Sequence, residues 1–355
     1  MLVVAHVVTA AATTACPPGT PARPFIFFHL QKTAGTTMKG LLRDGFSGPH
    51  FVTCSAGIIC NCAVGVQPMS CGRAMPQGIP ALSDSQLAGL RVLVERAGLF
   101  AGHFAPYALL RDLAHTSRNS TSASSQDCET RAHWGDLTDD ADLRSHFSRE
   151  TCLTILRNPL ERLISHYGYF TRQRKGSQFE GVAMRGALTK YGAGAVFAAT
   201  DGNLQSKMLS AGCCGADETH TRPIQYRDVA SKRDVSHAEM QAAMRFLDVC
   251  NVGFVDDMES AMASLPAQIH VSRAFASTRH FNARTNATRH TDSVGTLSPG
   301  DHEALMRLLA PDFALYYYAK ATRRKVPATI SHSLFGVELA RLAANGRKGE
   351  GGRGG

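Results

Sequence analysis

The sequence predicts an α/β fold with three layers, a parallel sheet flanked by helices on both sides. Two observations carry this. Short, almost wholly apolar runs recur at 24–30 (PFIFFHL), 99–104, 151–156 (TCLTIL) and 251–255, as expected of strands buried on both faces. They alternate with longer stretches of helical periodicity, so the strands are joined by crossovers and pair in parallel. Bulk composition is compatible: of 355 residues, 44% are hydrophobic and 19% charged, enough apolar surface to exclude global disorder. Neither heptads nor a short-period repeat is present, which excludes coiled coils and solenoids. The length admits one or two domains of ordinary size; we read one α/β domain over 23–325 with loop insertions.

The elements follow in chain order. Residues 1–22 carry no formal charge, and 2–15 are mostly apolar, but Cys16-Pro17-Pro18-Gly19 ends the run short of a bilayer span. A cleaved or truncated targeting segment and a disordered leader both fit; the basic start of a secretory signal is missing. The strand at 24–30 leads into the polar loop QKTAGTT, and a helical pattern begins over 38–43. Residues 54–80 read as an irregular, Cys-rich insertion, 83–96 as an amphipathic helix, 99–104 as a strand, and 106–114 as a helix opened by Pro106. A Ser/Thr-rich surface insertion occupies 115–130. The strand at 151–156 runs into a helix started by Pro159, and further helices are predicted over 205–210, 237–248, 256–264, 299–309 and 311–323. Residues 326–355 form a C-terminal extension whose Gly/Arg-rich tail, 346–355, reads as disordered.

Cysteine usage speaks to compartment. Cys54, Cys60, Cys62 and Cys71 crowd one loop without the paired spacing of a structural zinc module, so disulfides are the favoured reading over zinc. The adjacent Cys213 and Cys214 are free to pair elsewhere, and Cys152, inside an apolar strand, is expected to be a plain core residue. Asn119 and Asn286 begin glycosylation sequons.

The excess of 38 Lys+Arg over 29 Asp+Glu gives +9 and points to an anionic partner. That charge is scattered and no nucleic-acid recognition motif accompanies it. Two loops are more specific. The first follows the strand at 24–30, where a helix N-terminus gathers amides that lack intrahelical partners. There Gly35 permits close backbone approach, Thr36 and Thr37 add hydroxyls, and Lys32 adds a compact cation. Lys32 precedes the loop glycine, so this is not the phosphate loop of ATP- and GTP-hydrolysing proteins. The stretch from Phe28 to Thr37, FHLQKTAGTT, resembles the 5′-phosphosulfate loop of carbohydrate sulfotransferases that use 3′-phosphoadenosine-5′-phosphosulfate (PAPS), and within them is most similar to the heparan sulfate 6-O-sulfotransferases.

The second loop follows the strand at 151–156. Arg157 stands at its carboxyl end, where ligands bind in open α/β sheets, and a guanidinium fork matches phosphate geometry. Ser165 lies two turns into the following helix, and Arg157-Asn-Pro159-x-x-Arg162-x-x-Ser165-x-Tyr167 resembles the 3′-phosphate motif of the same enzymes. Similarity extends to the 202–209 stretch (GNLQSKML) and to Asn286-Ala-Thr288-Arg289, the latter like a loop that closes over the nucleotide. The 6-O enzymes are rich in tryptophan around the acceptor groove, whereas Trp134 is alone here.

The resemblance implies a sulfotransferase fold similar to that of P-loop nucleotide-binding proteins, and PAPS as sulfate donor without a metal. It implies donor contacts at His29, Gln31, Lys32, Thr33, Ala34, Gly35, Thr36, Thr37, Arg157, Ser165, Thr288 and Arg289, with Lys32 also stabilising the leaving phosphate. His103, in a Gly-His at the end of the 99–104 strand, is the implied base, and a carbohydrate hydroxyl the acceptor. A type II anchor and residence in the Golgi lumen are implied likewise. Two rivals stand beside this reading: a nucleotide kinase, whose Mg²⁺ would need carboxylates such as Asp256 and Asp257, and a non-catalytic binder of acidic glycans.

Overall fold

The structure is a computed structural model that describes residues 18, 20, 23–46, 51–54, 62–63, 98–102, 106–107, 143, 147–173, 175–211, 213, 234–265, 269 and 294–323. Its strands are β1 (Phe25–Phe28), β2 (Phe51–Cys54), β3 (Cys62–Ala63), β4 (Leu99–Gly102), β5 (Cys152–Leu156) and β6 (Asn251–Phe254). Its helices are α1 (Gly35–Gly45), α2 (Pro159–Gln173), α3 (Met184–Ala199), α4 (Leu204–Ser210), α5 (His237–Val249), α6 (Met258–Ala263), α7 (Pro299–Leu308) and α8 (Ala310–Arg323).

The strands form one sheet in the order β3-β2-β4-β1-β5-β6. Pairing is parallel from β2 through β6, with Phe28 opposite Gly102 on β4 and opposite Thr154 on β5; β3 alone runs antiparallel, against β2. β1 is therefore central. The chain leaves it for β2 on one side and leaves β5 for β6 on the other, so the crevice between the carboxyl ends of β1 and β5 is the topological switch point, where open α/β sheets bind ligands.

Alternation along the strands builds the three layers. Ile26 and Phe28 face α4, α5 and α8 through Leu204, Met208, Phe246 and Leu315. Phe25 and Phe27 face the opposite way, onto Met38 and Leu42 of α1, with Met258 and Met262 of α6 packed on the same cluster. A separate apolar cluster joins α2, α3, α7 and α8 through Leu163, Tyr167, Leu188, Leu305 and Phe313.

Several expectations change. Cys152 is not a plain core residue: it is disulfide-bonded to Cys250, 5.2 Å away between Cα atoms and 98 positions along the chain. Parallel register sets Leu153 beside Asn251, which brings the preceding cysteines together. Cys213 is disulfide-bonded as well. The sheet is not wholly parallel, because β3 adds an antiparallel edge from within the stretch read as irregular. α1 starts at Gly35 rather than 38, and α3 went unread. The helix expected over 83–96, both insertions outside β2 and β3, the leader and the tail lie outside the described residues, apart from 18 and 20. Among the described residues no helix is long and apolar enough to cross a membrane.

Candidate active site

The β1–α1 connection is short and strained in a particular way. After β1 the chain buries His29 and Leu30, then turns through 31–34, with Lys32 at φ 65° and Ala34 at φ 60°, both left-handed. Ala34 is the N-cap of α1 and contributes no side-chain cap; the first turn holds no acid. The first intrahelical bond runs from Met38 N to Ala34 O at 3.1 Å, so the amides of the first turn before it lack intrahelical partners. With the helix dipole behind them, they suit an anion.

Other side chains fix the loop. Thr33 is fully buried and its hydroxyl donates to Leu30 O at 2.8 Å, so it closes the turn and leaves only its amide for a ligand. The His29 ring stacks near Phe27, with centroids 5.9 Å apart, and lies directly against Gly35: a Cβ there would sit 1.5 Å from the ring. Only glycine fits that position. Gln31 and Thr37 are half-buried. Lys32 Nζ sits 4.5 Å from the centroid of the Tyr169 ring on α2, a cation–π contact.

The β5–α2 connection is built differently. Asn158 caps α2, its Oδ1 accepting from Leu160 N at 3.1 Å and Glu161 N at 3.3 Å, and Pro159 occupies the first helical position. With these amides taken, the cationic handle is the side chain of Arg157. Its Nη1 donates to Lys32 O at 3.3 Å, and its Nε lies 3.5 Å from Glu161 Oε2 in a partly exposed pair worth little by itself. Ser165, two turns along, is half-buried. Lys32 and Arg157 thus meet across the switch point.

Beneath Arg157 lies a buried polar assembly. Gln205 of α4 accepts from Arg157 N at 2.9 Å and donates Nε2–H to Arg157 O at 3.0 Å. The α4 N-terminus is capped from α8, because Asp312 accepts from Ser206 N and Ser206 Oγ, each at 2.7 Å, and from Gln205 N at 3.3 Å. Arg162, fully buried, stands 4.0 Å from Asp312 and donates to Thr200 O and Asp201 O. Burial lowers the pKa of Lys207, against the opposing pull of Asp312 and Asp201. Sequence reasoning marked the stretch holding Gln205 and Lys207 and the motif holding Arg162. It gave no role to Gln205, Asp312 or Tyr169; Asp312 acts about a hundred residues from its partners, where no local pattern reports it.

His103, Thr288, Arg289 and the side chain of Thr36 lie outside the described residues. The chain does leave β4 beside the β1 loop, since Gly102 O accepts from His29 N at 2.7 Å. The carboxylates a kinase would want are engaged: Asp256 pairs with Lys320 at 2.6 Å and Asp257 with Arg323 at 3.3 Å.

A mostly parallel α/β sheet brings two cationic, anion-suited loops together at its switch point. The sulfotransferase family model matches residues 20–319, most of the chain, and the chain belongs to that family. Membership makes it a sulfuryl transferase and implies PAPS as the donor. No curated protein and no solved structure matches it.

Proposed function

We propose that the protein transfers the sulfuryl group of PAPS to a carbohydrate hydroxyl, with a 6-O position of a glucosamine-type residue in an acidic polysaccharide as the acceptor to try first. The observation that supports this best is the 3.3 Å hydrogen bond from Arg157 Nη1 to Lys32 O, which joins the two loops at one crevice. The uncapped α1 amides, reached through left-handed Lys32 and Ala34, make a cradle in the manner of a P-loop for the 5′ end of the donor, and the missing side chain of Gly35 makes room for His29. Gln31, Thr36 and Thr37 belong to this cradle, with His29 packed beneath it. Arg157 and Ser165 hold the 3′-phosphate, and Thr288 and Arg289 close over the nucleotide.

In the reaction the S–O bond to the 5′-phosphate breaks and a new S–O bond forms to the acceptor oxygen, in line. Lys32 neutralises charge growing on the leaving phosphate oxygen, and His103 takes the acceptor hydroxyl's proton. The proposed setting is the Golgi lumen; the buried Cys152–Cys250 disulfide supports an oxidising compartment.

The test is incubation with ³⁵S-labelled PAPS and a panel of glycans, following both labelled glycan and released adenosine 3′,5′-bisphosphate. Labelled heparan-type glycan with matching release of the bisphosphate is the expected result. Transfer to none of the glycans overturns the carbohydrate reading.

A further inference from the structure

Among the described residues the ion pair of Arg157 is with Glu161, and it is long and partly exposed. What is fixed is its backbone. Gln205 holds both the N–H and the C=O of Arg157 with one amide, at 2.9 Å and 3.0 Å, and is itself completely buried. A single side chain that satisfies both polar groups of one residue leaves that residue little freedom to rotate about φ and ψ. Gln205 in turn is held by its own N–H on Asp312, the buried carboxylate of α8 that also takes Ser206.

We propose that Gln205 is a positioning residue for donor recognition: clamped to α8 through Asp312, it sets the strand-end backbone of Arg157 so that the guanidinium reaches the 3′-phosphate and the Lys32 carbonyl together. The proposal rests on the PAPS reading above. It assigns Gln205 no contact with the donor; its effect passes through Arg157.

The test measures binding of adenosine 3′,5′-bisphosphate and of adenosine 5′-phosphate, which lacks the 3′-phosphate, to the full chain. Gln205→Met keeps the buried volume and deletes both hydrogen bonds, so affinity for the bisphosphate falls about tenfold while that for the 5′-phosphate stays within about twofold. In an Arg157→Ala background the same substitution causes no further loss, since the group through which it acts is gone. Equal loss for both ligands, or losses that add in the double variant, overturns the proposal by making Gln205 a packing residue only. Should Gln205→Met fail to fold, Gln205→Leu, which also deletes both hydrogen bonds, carries the same comparison. If the unmodified protein does not distinguish the two nucleotides, the PAPS reading has failed first, and this proposal with it.

Discussion

The β1–α1 and β5–α2 connections leave neighbouring parallel strands at the same, carboxyl end of the sheet, yet they present opposite chemistry. The first ends in a left-handed Ala34 with no side-chain cap and no acid in the first turn, so its amides remain available. The second fills its N-terminus with the Asn158 carboxamide and sets Glu161 in the first turn, so an anion there must be met by the Arg157 side chain. The same βα geometry therefore yields a backbone cradle beside a lysine in one place and a guanidinium handle in the other. On the proposed reading the first loop takes the reacting end of the nucleotide and the second its anchoring end, a division that can be tested.

The largest effect is expected at the reacting end. Lys32→Ala lowers the transfer rate about 10²–10³-fold, measured as kcat with saturating donor, because a preorganised cation is lost where charge develops. At the anchoring end Arg157→Ala acts mainly on binding: affinity for adenosine 3′,5′-bisphosphate falls about ten- to a hundredfold in titration calorimetry, as for a lost charge-assisted hydrogen bond, and kcat changes less. If both variants lose rate and affinity in the same proportion, the division between the loops is wrong.

Two smaller substitutions sharpen the contrast in how the loops are built. Gly35→Ala forces a methyl into the His29 ring and costs about 1–3 kcal/mol, read as a lowered Tm, together with weakened nucleotide binding. Asn158→Ala removes a cap and costs about 1 kcal/mol of stability, with nucleotide affinity retained, because that carboxamide serves the helix and not the anion. A loss of affinity in Asn158→Ala equal to that in Arg157→Ala contradicts the distinction.

Much of this architecture was legible in the amino-acid sequence for a simple reason: β1 and β5 are buried on both faces and so are almost wholly apolar, and Pro159 marks the start of α2. The start of α1 was not legible, because a left-handed Ala34 offers none of the Ser, Thr, Asp or Asn signals of a cap. α3 escaped because its Ala- and Gly-rich sequence, kinked at Gly192 with φ 79°, has no clear apolar stripe. The two loops of the candidate site announce themselves through local motifs, whereas their support does not. Asp312 capping α4 and Cys250 bonding Cys152 are long-range events that local periodicity cannot carry.

The account turns on one nucleotide being held at both ends. Calorimetric titration of the unmodified protein with adenosine 3′,5′-bisphosphate, adenosine 3′-phosphate and adenosine 5′-phosphate tests this directly. The bisphosphate is expected to bind at least about tenfold more tightly than either monophosphate, as two cooperating phosphate sites require. Equal affinities for the bisphosphate and one of the monophosphates contradict it, since only one loop would then be touching phosphate.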